Sequence, residues 1–206
     1  MRNHAYRAAP KHLDHTGRLI LSRFDIPPEE ILRSREKLVL DHFHDEVAQD
    51  WDATLSTFPH PHYELVAQML VHDGDTEVRE YYHDTRVAFP DQRHEIIALR
   101  HSDDAVIVEF WLLGTHLGPL GKIPSTGSTH RTRMTAYFIF DDEENLVTER
   151  IYFDQLTVLK QLLGGLDKKN PKDLLTLFRA LGGALALSGA EPDPRLTDTV
   201  EPDLSN

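Results

Sequence analysis

Ala105-Val106-Ile107-Val108-Glu109-Phe110-Trp111-Leu112-Leu113 is a long run of β-branched, aromatic and aliphatic residues that neither Gly nor Pro interrupts. Such side chains fit a pleated, half-buried surface, so the run reads as a β-strand. Ser102-Asp103-Asp104 turns the chain before it, and a Gly- and Pro-containing loop over 114–127 follows it. Residues 93–100 form a strand on one side. Residues 130–140 form another on the far side, with Met134, Ala136, Phe138 and Phe140 on one face. Asp141 to Asn145 is a hairpin tip, and residues 146–153 are the last strand. Four strands joined by short turns predict an antiparallel meander.

Outward from the meander the period changes from two to that of a helix. Pro27-Pro28-Glu29-Glu30 is helix-start chemistry, and Ile31, Leu38, Val39, Phe43, Val47 and Trp51 recur at near-helical spacing, so a helix is expected over 28–50. Residues 52–61 are a short turn or helical piece ended by Pro59 and Pro61. Residues 62–71 read as a strand followed by a turn. A second helix is expected with Asp75 as its N-cap, stopping at Phe89-Pro90-Asp91. Helices first and strands afterwards is the α+β pattern. Beyond the last strand, 155–163 is a helix ended by Gly164-Gly165. Residues 171–187 form a second one whose wide apolar face must cover the domain's open end or a partner chain. The chain divides into an N-terminal arm (1–27), an α+β domain (28–165), a C-terminal helix (166–188) and an acidic, disordered tail (189–206).

Lys and Arg number 22 against 34 Asp and Glu in 206 residues, and 22 − 34 gives a net charge of −12. That sign argues against a nucleic-acid partner, which needs a basic face. Zero Cys excludes disulfides, thiolate nucleophiles and Cys-ligated zinc. No run of 18 apolar residues exists, so no membrane partner is expected. The first 16 residues lack the apolar region of a signal peptide, and the expected address is the cytoplasm. The 13 His invite a test for metal ligation. His42 and His44 are i, i+2 on a helix and point apart, and His60 and His62 lack a third ligand, so no metal is expected.

Three stretches resemble the SnoaL-like (polyketide cyclase or ester cyclase) branch of the nuclear transport factor 2-like superfamily. They are Phe89-Pro90-Asp91 leading into a strand, Gly114-Thr115-His116-Leu117-Gly118 with Gly121-Lys122-Ile123-Pro124-Ser125-Thr126-Gly127, and Glu149-Arg150-Ile151-Tyr152-Phe153-Asp154 with Gln161-Leu162-Leu163-Gly164. Ser125 stands where the family usually has a second Pro, and one extra Leu precedes Gly164. The resemblance covers about residues 30–164. It implies a cone-shaped curved antiparallel sheet wrapped around a long N-terminal helix, a mostly apolar cavity for a small apolar molecule, no cofactor, and a homodimer formed through the convex sheet face. It also implies an acid/base Asp near the cavity floor.

Asp154 is the positional candidate for that acid, and it is equally placed to cap the helix from Gln155. Arg150 and Tyr152 share its strand face, either as cavity groups or as an outer row. Glu109 interrupts an apolar strand as a buried acid or an outward one, and Trp111 shares its side. His116, between glycines, is a general base or holds its own loop. His130 opens the next strand across that loop. The candidate catalytic set is therefore Asp154, His116, Tyr152 and Glu109; the candidate substrate-binding set is Trp111, Arg150, Tyr137, His130 and Phe43. Two functions fit: acid/base cyclisation, isomerisation or related hydrolysis of a carbonyl-bearing molecule, or a noncatalytic ligand-binding or assembly module.

Overall fold

The computed structural model describes residues 12–13, 19–20, 26–187 and 191–197. Most of the expected arm and tail lies outside these residues. Two short strands, β1 (His12–Leu13) and β2 (Leu19–Ile20), pair with each other. The main domain runs α1 (Glu29–Ala48), α2 (Trp51–Ser56), β3 (His62–Leu65), β4 (Leu70–Asp73), α3 (Gly74–Ala88), β5 (Arg93–His101), β6 (Ala105–Thr115), β7 (Thr129–Phe140), β8 (Leu146–Phe153) and α4 (Gln155–Gly164). After it come α5 (Pro171–Leu187) and α6 (Pro194–Thr197).

The meander is β5–β6–β7–β8, antiparallel throughout. It extends past β8 into a six-stranded sheet ordered β4-β3-β8-β7-β6-β5, in which β3 joins β8 in parallel. The strand expected over 62–71 is instead a hairpin. A short 3₁₀ turn at Val66–Gln68 and Met69 at φ 54° reverse the chain, so β3 and β4 pair with each other. The second helix starts one residue before Asp75, and its entry is closed by Glu77, whose Oε2 accepts the Asp73 N–H at 2.8 Å. Trp51 opens α2 and does not continue α1, because Gln49 ends α1 in the left-handed region at φ 60°.

The concave face of the sheet wraps α1. Val39 and Phe43 pack against Val106, Val108 and Phe110 of β6 and Ala136 and Phe138 of β7 in one core. Full burial of an aliphatic or aromatic side chain contributes about 1.5–3 kcal/mol, so this contact dominates the domain's stability. Arg35 ties α1 to the β7–β8 tip. Its buried guanidinium donates to both carboxylate oxygens of Glu144 and to the Asp103 carbonyl, and stacks 4.8 Å over Phe140. The opposite end of the cone stays open, and there the cavity begins.

Candidate active site

A cavity of about 1130 Å³ opens between the concave face of the sheet, α3, α4 and α5. Strand parity decides which side chains reach it. On β8, Glu149, Ile151 and Phe153 face inward; Glu149 pairs in register with Phe138 of β7 and Tyr63 of β3. On β7 the inward row contains His130 and Met134, and on β6 it contains Phe110 and Leu112. From α1, Phe43 and Glu46 point in, one helical step apart.

Parity also places most of the candidates from the sequence on the other face. Glu109 lies outside, accepting from Arg133 at 2.8 Å and pairing with Arg100 at 3.0 Å. Trp111 is beside it, under the Arg131 guanidinium at 4.0 Å. Tyr137 and Tyr152 pack edge to face at 5.7 Å on the same outer surface. Arg150 there forms an ion pair with Glu64 of β3. Burial raises the Glu64 carboxyl, yet hydrogen bonds from His62 and Arg150 prevail and bring it down to about 2. Asp154 is the N-cap of α4: it accepts the Thr157 N–H at 3.1 Å and the Thr157 hydroxyl at 2.5 Å, which holds its carboxyl below the usual range. Of the alternatives open for these residues, the structure takes the outer face for Glu109, Trp111, Arg150 and Tyr152 and the capping role for Asp154; Tyr137, a candidate for binding substrate, lies outside as well.

His116 is fully buried but lies behind the cavity wall. Its Nδ1 binds the Thr126 hydroxyl at 3.1 Å and accepts the Thr126 N–H at 3.3 Å, pinning the 116–128 loop. The glycines around it serve that fit. A Cβ on Gly118 would stand 2.0 Å from the Val87 carbonyl oxygen, and one on Gly114 would press on Phe89 and His130. His130 lines the cavity and packs 4.7 Å from Phe89. Burial pushes its imidazole down to about 4, so it is neutral at pH 7. Phe43 lines the cavity as well. No group of three metal-ligating side chains converges among the described residues; His60 and His62 share one oxygen of Asp73, and His42 and His44 diverge from α1.

The polar centre consists of residues the sequence did not single out as catalytic. His42 is fully buried on α1, and its Nδ1 lies 3.0 Å from the Thr57 hydroxyl. Thr57 gives its own proton to the Thr54 carbonyl at 2.7 Å, so it accepts from His42 Nδ1–H. His42 Nε2 then carries a lone pair, which takes the Tyr63 hydroxyl at 3.1 Å; Tyr63 in turn receives Tyr82 at 2.6 Å. Burial raises both phenols well above their ordinary range, which keeps them protonated donors. Glu149 Oε2 stands 3.3 Å from the same Nε2 and takes no hydrogen bond. The Glu149 carboxylate thus lies beside an imidazole nitrogen whose lone pair Tyr63 already occupies, and that oxygen is left without a donor.

Glu46 is handled differently. Arg86 donates to its backbone carbonyl at 2.8 Å and lies 3.4 Å from its carboxylate; Gln92 reaches the same oxygen, and His94 Nε2 is 3.6 Å from the other. Burial lowers the His94 pKa, and its ring is wedged edge-on against Phe43 and Phe110. Among the described residues lining the cavity none is Lys or Arg, while Glu77, Glu80 and Asp84 of α3 ring its mouth. The signals for Glu46 and Glu149 were present in the sequence. Glu46 is i+4 from His42 and i+3 from Phe43, and Glu149 shares parity with Ile151 and Phe153.

The family model for SnoaL-like polyketide cyclases matches residues 38–162. Among solved structures, the chain is similar to a SnoaL-like protein from Jannaschia sp. CCS1, at 20% identity over 67% of this chain and 97% of that one, with a TM-score of 0.60. It is similar to a protein of ketosteroid isomerase-like fold from Catenulispora acidiphila, at 15% identity over 61% and 92% of the two chains, with a TM-score of 0.53. It is also similar to SalBIII, an epoxide hydrolase/cyclase-like enzyme of pyran-ring formation in salinomycin, at 19% identity over 61% and 95%, with a TM-score of 0.51. At these identities the likeness is one of fold. No match was found among curated proteins.

Proposed function

The chain belongs to the SnoaL-like polyketide cyclase family, and on that premise we propose that its cavity binds a small, largely apolar, carbonyl-bearing molecule and moves a proton on it. The observation that carries this reading is Glu149: a buried carboxylate in an aromatic wall, whose Oε2 takes no hydrogen bond and lies 3.3 Å from His42 Nε2. A base of this kind takes a proton from carbon next to a carbonyl. Tyr63, held by Tyr82, occupies the His42 Nε2 lone pair, which leaves Glu149 as the proton acceptor. The outcome for the substrate is an enolate poised for aldol-type cyclisation or isomerisation. SalBIII, a fold relative, has a role in pyran ring formation, so this fold is compatible with ring-closing chemistry.

The chain works as a homodimer in this proposal, paired through the outer face where Ile107, Trp111, Tyr137 and Tyr152 cluster. Sedimentation gives twice the monomer mass for the native chain and the monomer mass for Trp111→Glu if that face is the interface.

The functional test is deuterium exchange at the activated carbon of benzoylacetone in D₂O, followed by proton NMR. The protein accelerates exchange above the buffer rate, and a long-chain phenyl ketone that fills the cavity suppresses the acceleration. Exchange at the buffer rate at every protein concentration contradicts the reading.

A further inference from the structure

The family match ends at residue 162, and α5 lies wholly beyond it. Yet α5 is built into the cavity. Leu181 and Ala184, one helical step apart, are lining residues, and the face they share continues into fully buried Ala180. The helix is seated closely. A Cβ on Gly183 would stand 2.8 Å from the carbonyl group of Lys122 and 2.9 Å from the Ile123 N–H, an approach that any larger residue would block. The seat is itself rigid: Leu120 and Ile123 exchange two backbone hydrogen bonds of 2.9 Å, and both line the cavity.

The start of α5 is fastened as well. At its start, Asn170 caps the Lys172 N–H at 3.0 Å, and Asp173 accepts the Asp167 N–H at 2.9 Å, fixing the turn out of α4. After it, the chain docks on the edge strand β4. The Asp193 N–H reaches the Met69 carbonyl at 2.9 Å, and Arg195 lies 3.4 Å from the Val71 carbonyl and 3.6 Å from Asp73. Leu70 and His72 of that strand line the same cavity.

We propose that α5 is a wall of the binding site added to the family fold, and that Leu181 and Ala184 set the length of the molecule the cavity accepts. This rests on the reading that the cavity is a ligand site. Ala184 lines the cavity with a small side chain, so a larger one there takes space from the ligand. Leu181 is the adjustable part, since it is 45% exposed and can be shortened without opening a core void.

The test is calorimetric binding of a phenyl ketone series (acetophenone, butyrophenone, hexanophenone, octanophenone) to the full chain. Ala184→Leu weakens the two longest ketones about tenfold and leaves acetophenone within about twofold, as expected for added bulk at a packed boundary. Leu181→Ala shifts the optimum to a longer ketone, and it keeps the proposal testable if Ala184→Leu does not fold. If the native chain binds the series and both α5 variants show its length profile unchanged, α5 is not a wall and the inference fails alone. If the native chain binds no ketone, the ligand-site reading fails and this inference falls with it.

Discussion

Glu149 Oε2 and His42 Nε2 lie 3.3 Å apart in the interior, and neither atom carries a proton toward the other when Thr57 holds His42 Nδ1–H. Oε2 is therefore a buried acceptor without a donor. The Glu149→Gln variant replaces the carboxylate by a neutral amide of the same shape, which removes the cost of burying an unpaired acidic oxygen. It is expected to be more stable than the native chain by about 1–2 kcal/mol in urea denaturation, in the manner of functional sites that sacrifice stability. A variant less stable than the native chain contradicts the unpaired state assigned to Glu149.

The second buried carboxylate should answer in the opposite sense. Glu46 is matched by Arg86, and both are largely buried. Arg86→Gln leaves Glu46 without its cation and is expected to cost about 3–5 kcal/mol. The double variant Arg86→Gln/Glu46→Gln recovers a large part of that loss. Denaturant midpoints of the three chains decide it; additive losses would show that the two side chains do not interact.

His130 gives the pH dependence a definite sign. Its pKa falls from 6.5 in the unfolded chain to about 4 in the fold because burial penalises the cation. Between these values the unfolded chain binds more protons, so stability is fully present above pH 6.5 and declines as pH falls toward 4. The slope is at most about 1.4 kcal/mol per pH unit for one such group. His94, His116 and His72 are lowered by burial too and act in the same direction. The His130→Gln variant should show a shallower decline between pH 6.5 and 4 in urea titrations; an unchanged slope contradicts a neutral, buried His130.

The same residues show where the sequence was readable. The run from Ala105 to Leu113 and the alternation Met134, Ala136, Phe138, Phe140 established the meander and the inward face of β7, because apolar parity is a local signal. On β8 the polar residues Arg150, Tyr152 and Asp154 drew the assignment outward, away from Glu149, Ile151 and Phe153. A lone carboxylate among inward hydrophobes is the weaker pattern, although it is the one a buried functional acid leaves. The His42–Thr57–Tyr63–Tyr82 chain was not legible, since it joins α1, the end of α2, β3 and α3 through tertiary packing alone. The hairpin at Met69 was hidden for a similar reason: a non-glycine residue at φ 54° carries no turn signature. The α5 face was legible as apolar, and only the fold reveals that its Leu181 and Ala184 side looks into the cavity.

The most direct measurement compares carboxylates on the two faces of one sheet. Benzoylacetone exchange in D₂O is followed for the native chain and for Glu149→Gln, Asp154→Asn and Glu109→Gln. An inward general base predicts a loss of about 10²-fold or more in Glu149→Gln, with the other two variants within about twofold of the native rate. Full activity in Glu149→Gln, or its loss in Asp154→Asn or Glu109→Gln, would contradict the assignment of proton transfer to the concave face.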